Sequence, residues 1–167
     1  MGVFSGAFQI GAISEVNDKE AEQFLKEFEE LVKDIDAVGI FTHNTSIALP
    51  MFIPGFGVAW GLFAAWSTGF AFASLSTLNP LIAEVPPLAI LYLSPFGIME
   101  LVAYSIGISR SFILIQMIVK KLDLKPVIKI TVIEIGIVVA LLLMGGFIEF
   151  SMIEMVQQGE IGLPEEI

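Results

Sequence analysis

Residues 37–83 read AVGIFTHNTSIALPMFIPGFGVAWGLFAAWSTGFAFASLSTLNPLIA, 47 consecutive positions without an acid, a lysine or an arginine. His43 is the only titratable side chain among them. One helix crossing a bilayer needs about 20 predominantly apolar residues, so this run is long enough to cross twice. Pro50, Pro54 and Gly55 interrupt it, and such residues break or kink a helix. The run therefore divides into a short, irregular first span near 38–53 and a second over about 55–78. One long kinked helix to about residue 66, followed by another, is the alternative that the pattern allows.

The rest of the 167-residue chain agrees with a membrane protein. Apolar residues make up 56% and charged residues 16%, against roughly 25% charged in an average globular domain, and the mean hydropathy is +0.85. There is no cysteine, which excludes a disulfide-stapled scaffold. A net charge of −10 with only 8 basic residues argues against nucleic acid as a partner, because the phosphate backbone demands Lys and Arg.

The charges are sorted along the chain. Residues 14–36 hold nine acids and three lysines. Val16, Phe24, Leu25, Phe28, Leu31, Val32 and Ile35 recur there at three- and four-residue steps, the stripe of an amphipathic helix. Ser14, followed by acids, suits its N-cap. The acidic face disfavours binding to anionic lipid, which selects Lys and Arg. The helix is expected to pack on the membrane domain or to dock a partner. Ahead of it, residues 1–13 form a short apolar segment, about 18 Å as a helix and too short to span.

After Asn79-Pro80 and Pro86-Pro87, the six apolar residues 88–93 precede Ser94-Pro95-Phe96-Gly97. Pro95 and Gly97 read as a helix break, and the piece before them as a re-entrant segment or half-helix. A third span follows over about 97–119 and a fourth over about 126–150, with an acidic tail at 151–167. The domain order is then 1–13, 14–36, a transmembrane domain over 37–150, and the tail. The fold class is an all-α polytopic bundle of about four spans, with the half-helix and the amphipathic helix attached. Lys120, Lys121, Lys125 and Lys129 place the 120–129 loop in the cytoplasm by the positive-inside rule. Both acidic ends then lie outside the cytoplasm, at the cell membrane.

Five small residues at i+4 spacing, Gly57, Gly61, Ala65, Gly69 and Ala73, form a ridge on the second span. In lipid such ridges let two helix backbones approach closely, within one subunit or between subunits. Self-association through this ridge is the expectation, with a homo-oligomer as its product.

Ionisable groups inside spans are functional candidates by default. Arg110 lies ten residues before Lys120, about 15 Å from the span end, and Glu134 eight residues after Pro126, about 12 Å. On antiparallel neighbours they are positioned to form an intramembrane ion pair. His43, Asn44, Glu100 and Glu149 fall together near the opposite interface as a polar layer. Such a layer could bind a metal or carry protons, or simply fix the helices by mutual hydrogen bonds. With one histidine and no cysteine, neither a metal site nor a cofactor is expected. Catalytic motifs are lacking: there is no HExxH and no GxSxG, and residues 107–111 (GISRS) lack the closing glycine.

The chain resembles the stage II sporulation protein M family of small polytopic membrane proteins. The resemblance rests on Ile40-Phe41-Thr42-His43-Asn44, on Ser94-Pro95-Phe96-Gly97-Ile98-Met99-Glu100-Leu101, which is similar to the family's Pro-His-Gly-x-x-Glu-Leu signature, and on Phe147-Ile148-Glu149-Phe150. It covers about 38–150. Phe96 replaces the signature histidine, and His43 stands where the family usually has an asparagine. Family members typically carry a further N-terminal span, of which residues 2–13 look like a remnant. In endospore formers the family is associated with anchoring peptidoglycan-remodelling enzymes at the engulfing membrane. The resemblance implies a non-enzymatic scaffold with lipid and extracytoplasmic proteins as partners. A channel or transporter subunit using Glu100 and Glu149 is the alternative.

Overall fold

A computed structural model describes residues 1–32 and 35–157 of the chain. Among the described residues all regular structure is helical: α1 (Gly2–Ala12), α2 (Asp18–Val32), α3 (Ala37–Ala48), a 3-10 turn at Leu49–Phe52, α4 (Phe56–Leu78), α5 (Pro80–Ala83), α6 (Pro87–Leu93), α7 (Pro95–Val119) and α8 (Lys125–Gln157). Three of these, α4, α7 and α8, are long and apolar enough to cross a membrane. The expected first span, near 38–53, is a twelve-residue helix ending in a 3-10 turn, shorter than these three. That is about 26 Å of rise, short of the roughly 30 Å hydrocarbon core.

The break falls at Pro50–Gly55, so the two-element division of residues 37–83 is the one adopted. Pro50 lies in the 3-10 turn, and Gly55 reverses the chain with φ +77°, a backbone state glycine adopts without steric cost. A break in lipid must not leave backbone groups unpaired, and α7 supplies the partners. Ser111 Oγ donates to the Ile53 carbonyl at 2.6 Å, and the Gly55 N–H donates to the Ser111 carbonyl at 3.4 Å. Trp60 Nε1 donates to the Ile47 carbonyl at 2.9 Å and ties the two arms together. Met51 is fully buried in the notch.

α1 lies on α4, at the ridge. A Cβ on Gly69 would run into the Phe8 carbonyl and the Ala12 amide, and one on Gly11 into the Trp66 carbonyl. Further along, Gly57 is pressed against the backbone of Met51 and Gly61 against the side chain of Ile108. Ala65 and Ala73 are buried as well. All five ridge residues therefore face their own chain. Of the two alternatives for the ridge, the close approach within one subunit is the one seen, to α1, the 3-10 turn and α7. On another side of α4, the rings of Phe56, Trp60, Phe63, Trp66 and Phe70 follow one another, the end pairs stacked and the middle pairs tilted, with centroids 5.4–6.3 Å apart.

Caps differ from expectation at two helix starts. Asn17, not Ser14, caps α2, accepting from the Glu20 N–H at 3.0 Å, while Ser14 Oγ turns back to the Ile10 carbonyl. A side-chain acceptor is needed three residues before the free amide, and Ser14 is still part of the turn that ends α1. Ser94 caps α7 by accepting from the Gly97 N–H at 3.1 Å, and Pro95 takes the first helical position. The break is thus at Ser94–Pro95. Gly97 lies inside the helix, where its missing side chain admits the Ser94 hydroxyl and the Ile90 carbonyl. α8 continues to Gln157, beyond the expected end near 150. Of the acidic tail, Glu154 is on that helix, whereas residues 158–167 lie outside the described residues.

Gly69→Leu should cost about 1–3 kcal/mol from overpacking, because α1 would have to leave α4. Gly136→Leu, on α8, should be neutral, since nothing lies within 4 Å of its missing Cβ. The yield of monodisperse protein from native membranes measures both, and equal yields would contradict the α1–α4 contact.

Candidate functional site

Polar side chains converge at two levels of the bundle. The first is the ion pair. Arg110, buried on α7, donates from Nε to Glu134 Oε2 at 2.5 Å and from Nη2 to Glu134 Oε1, so the guanidinium grips the carboxylate with two bonds. Equal depth on the antiparallel α7 and α8 puts them opposite each other, as helical rise requires. The Glu134 side chain is 24% exposed, and beside it Val102, Ser105, Ile106, Ser109 and Met1 line a shallow open pocket.

The second level is built by α3, α7 and α8. Asn44, buried on α3, donates from Nδ2 to Glu100 Oε1 on α7 at 2.7 Å. Glu149 of α8 lies close enough to Glu100 for their charges to interact, and its Oε2 is buried with no hydrogen-bond partner. The backbones allow this because α8 is nearly bare where it meets its neighbours. Gly146 lies against the Ala37 carbonyl and the Phe41 amide, and Gly145 against Met99. Asp36 starts α3 at that point, accepting from the Gly39 N–H at 2.7 Å.

His43 is not part of this layer. Its side chain is exposed, since the 100° step from Asn44 turns it off the α7-facing side of α3. Two polar residues of α7 lie outside the sequence expectation. Tyr104, 6% exposed, stands one turn from Glu100, within reach of both glutamates' charge, and stacks on Phe4 of α1 at 5.5 Å. An aromatic with a hydroxyl four residues after a buried acid was the available signal. Ser111 seals the helix break; nothing in sequence separates it from Ser105 or Ser109. A third polar contact, Ser5 Oγ to Tyr92 Oη at 2.7 Å, ties α1 to α6.

The sequence profile of the stage II sporulation protein M family matches residues 1–150. The chain belongs to that family. No curated protein and no solved structure matches it. The family match begins at residue 1 and so takes in α1 and α2 as well as the three motifs. With its three long apolar helices, this member of the stage II sporulation protein M family is a multi-pass membrane protein. Two of the three motifs meet directly, through Asn44 and Glu100, and the third brings Glu149 beside them. Phe96, at the position of the signature histidine, is half-buried. Neither it nor His43 brings an imidazole to the layer. No group of three or more metal-ligating side chains occurs among the described residues.

Removing one partner of a buried ion pair leaves an uncompensated charge, at a cost of about 3–5 kcal/mol. Arg110→Ala should therefore lose most folded protein. The double change Arg110→Met with Glu134→Leu should recover much of the loss, because both charges go together. Folded yield by size-exclusion chromatography checks this; a double variant as poor as the single one would count against the pair as the source of the loss.

Proposed function

We propose that this member of the stage II sporulation protein M family is a non-enzymatic, membrane-embedded assembly subunit that presents the acidic helix α2 to partner proteins outside the cytoplasm. The observation that carries the reading is the way α2 is mounted. Ala21 is fully buried where α2 packs along the membrane domain, while Glu20, Glu22, Glu27 and Glu30 are exposed. A charged face held on a rigid support favours recognition of a basic partner and speeds encounter with it. The start of α3, at Ala37, lies against Gly146, about two-thirds of the way along α8 from its basic N-terminal end. This supports both acidic ends sharing one side, opposite the basic 120–129 loop. Membrane lipid is the other partner, covering α8 and the aromatic stack of α4. A homo-oligomer would need a surface other than the ridge.

The second reading, a channel or transporter subunit with a polar pathway through Glu100 and Glu149, draws support from the unpartnered Glu149 oxygen and from the broken helix at 49–55. Discontinuous helices commonly flank transport sites.

Because the chain has no cysteine, single introduced cysteines report cleanly on sidedness. Glu22→Cys should react with an impermeant maleimide in intact cells and Lys121→Cys only after permeabilisation; the reverse pattern would invert the topology. A photocrosslinker at Glu22 or Glu27 in native membranes should yield a defined heteromeric adduct that one at Ile137 does not. In proteoliposomes, solute or ion flux that disappears in Glu100→Gln and Glu149→Gln would establish the transport reading instead.

A further inference from the structure

We infer that the turn joining α7 to α8 binds the phosphate headgroups of anionic phospholipids, through Lys120, Lys121, Lys125 and Lys129. The backbone carries the first argument. α7 ends in a turn where the Leu122 N–H donates to the Met117 carbonyl at 2.9 Å and the Lys121 N–H to the Ile118 carbonyl at 3.0 Å. A helix stop of this kind places one residue in the left-handed region and strongly favours glycine there. Lys121 takes that position with φ +55°, the one non-glycine residue of positive φ among the described residues. A lysine held where glycine would be unstrained points to a use for its charge.

The charges lack protein partners. All four lysines are exposed, and the one ion pair among the described residues is Arg110–Glu134. Asp123, the only acid between Glu100 and Glu134, is turned onto the backbone, where its Oδ1 accepts from the Lys125 N–H at 3.0 Å. Lys120 and Lys121 are adjacent in sequence, and Lys125 and Lys129 stand one turn apart on one face of α8. Like charges so placed repel each other until an anion comes between them. The surroundings select the anion. Val119 is 74% and Leu122 52% exposed, and Ile118, Ile128 and Ile130 are exposed as well, so large apolar side chains lie before, within and after the basic run. A soluble polyanion would leave that surface in water. At a bilayer the apolar residues enter the acyl region, while the lysine stems lie along it and their ammonium groups reach the phosphates. Lys129 is about 6 Å of rise beyond Lys125, a distance its long side chain spans back to headgroup level. The site goes beyond both functional readings and holds for a scaffold and a transporter alike.

The test titrates the full chain, in a neutral detergent, with equal amounts of phosphatidylglycerol and phosphatidylcholine, and native mass spectrometry counts the lipids retained. Both leaflets' lipids are accessible in this form, so the result does not depend on which side of the membrane the turn faces. Phosphatidylglycerol should bind about tenfold more tightly or better, and its advantage should shrink as NaCl is raised, because salt screens exposed charges. A lysine near a membrane surface contributes about fivefold. Lys120→Gln with Lys121→Gln, and Lys125→Gln with Lys129→Gln, should therefore each weaken phosphatidylglycerol binding by about twenty-fivefold, whereas Lys19→Gln with Lys26→Gln, on α2, should leave it unchanged. Lys121→Gly should raise Tm in phosphatidylcholine nanodiscs while lowering phosphatidylglycerol affinity about fivefold; a lysine with only a structural role would not give these opposite changes. Arginine at all four positions should keep the preference, and with Lys121→Gly it supplies the readout if the glutamine variants do not insert. Equal retention of the two lipids, or an undiminished preference in Lys121→Gly, would overturn the site. Displacement of phosphatidylglycerol by an equal concentration of inorganic phosphate would overturn it too, assigning the lysines to a soluble phosphate.

Discussion

The whole architecture hangs on a break in a helix that lipid would not tolerate unsupported. Between Leu49 and Gly55 the chain stops being α-helical and turns back, exposing carbonyl and amide groups that in hydrocarbon would have no water to bond. α7 meets this demand at one residue: Ser111 donates its hydroxyl to Ile53 and accepts the Gly55 N–H at its carbonyl. With Met51 locked between Gly57 and Gly107, the short arm α3 is fixed alongside α7. That alignment is what brings Asn44 to the level of Glu100. The turn and the polar layer are therefore not independent features; displacing the first would shift the register of the second.

The small residues of α4 answer the same constraint in a different way. Within a bilayer there is little hydrophobic drive for one helix to join another, so contact area and close packing must hold them. Gly69 and Gly11 let the α1 and α4 backbones meet without side chains between them, while Gly57 and Gly61 admit Met51 and Ile108. A single evenly spaced ridge thus serves three neighbours in turn. A helix as short as α1 could not hold a place in the membrane domain by length alone; it does so because its contact is backbone on backbone, with Ser5 and Tyr92 adding a hydrogen bond to α6.

Much of this was legible in the chain itself. Membrane character followed from the 47-residue uncharged run, and the break within it from Pro50 and Gly55. The depth of Arg110 and Glu134 followed from counting residues at a fixed rise, which is why their juxtaposition could be read in advance. The family match agrees with the three short motifs. Other features were not legible for physical reasons. Counting gives depth but not azimuth when boundaries are uncertain by a residue or two, so His43 and Asn44 looked equivalent although only Asn44 turns inward. Likewise, Ser14 and Asn17 are both competent caps, and only the end of α1 decides between them.

The sequence by itself determined which segments are apolar enough to enter a bilayer, where the chain breaks, and which charges lie at which depth, because these depend on composition and on the constant rise of a helix. The tertiary structure alone decided what each surface touches. It turned the glycine ridge inward onto α1 and the 3-10 turn, removed the histidine from the polar layer, and put Tyr104 in its place beside Glu100 and Glu149. Those outcomes depend on which helices become neighbours and at what rotation, and periodicity within one helix carries no information about the face of another.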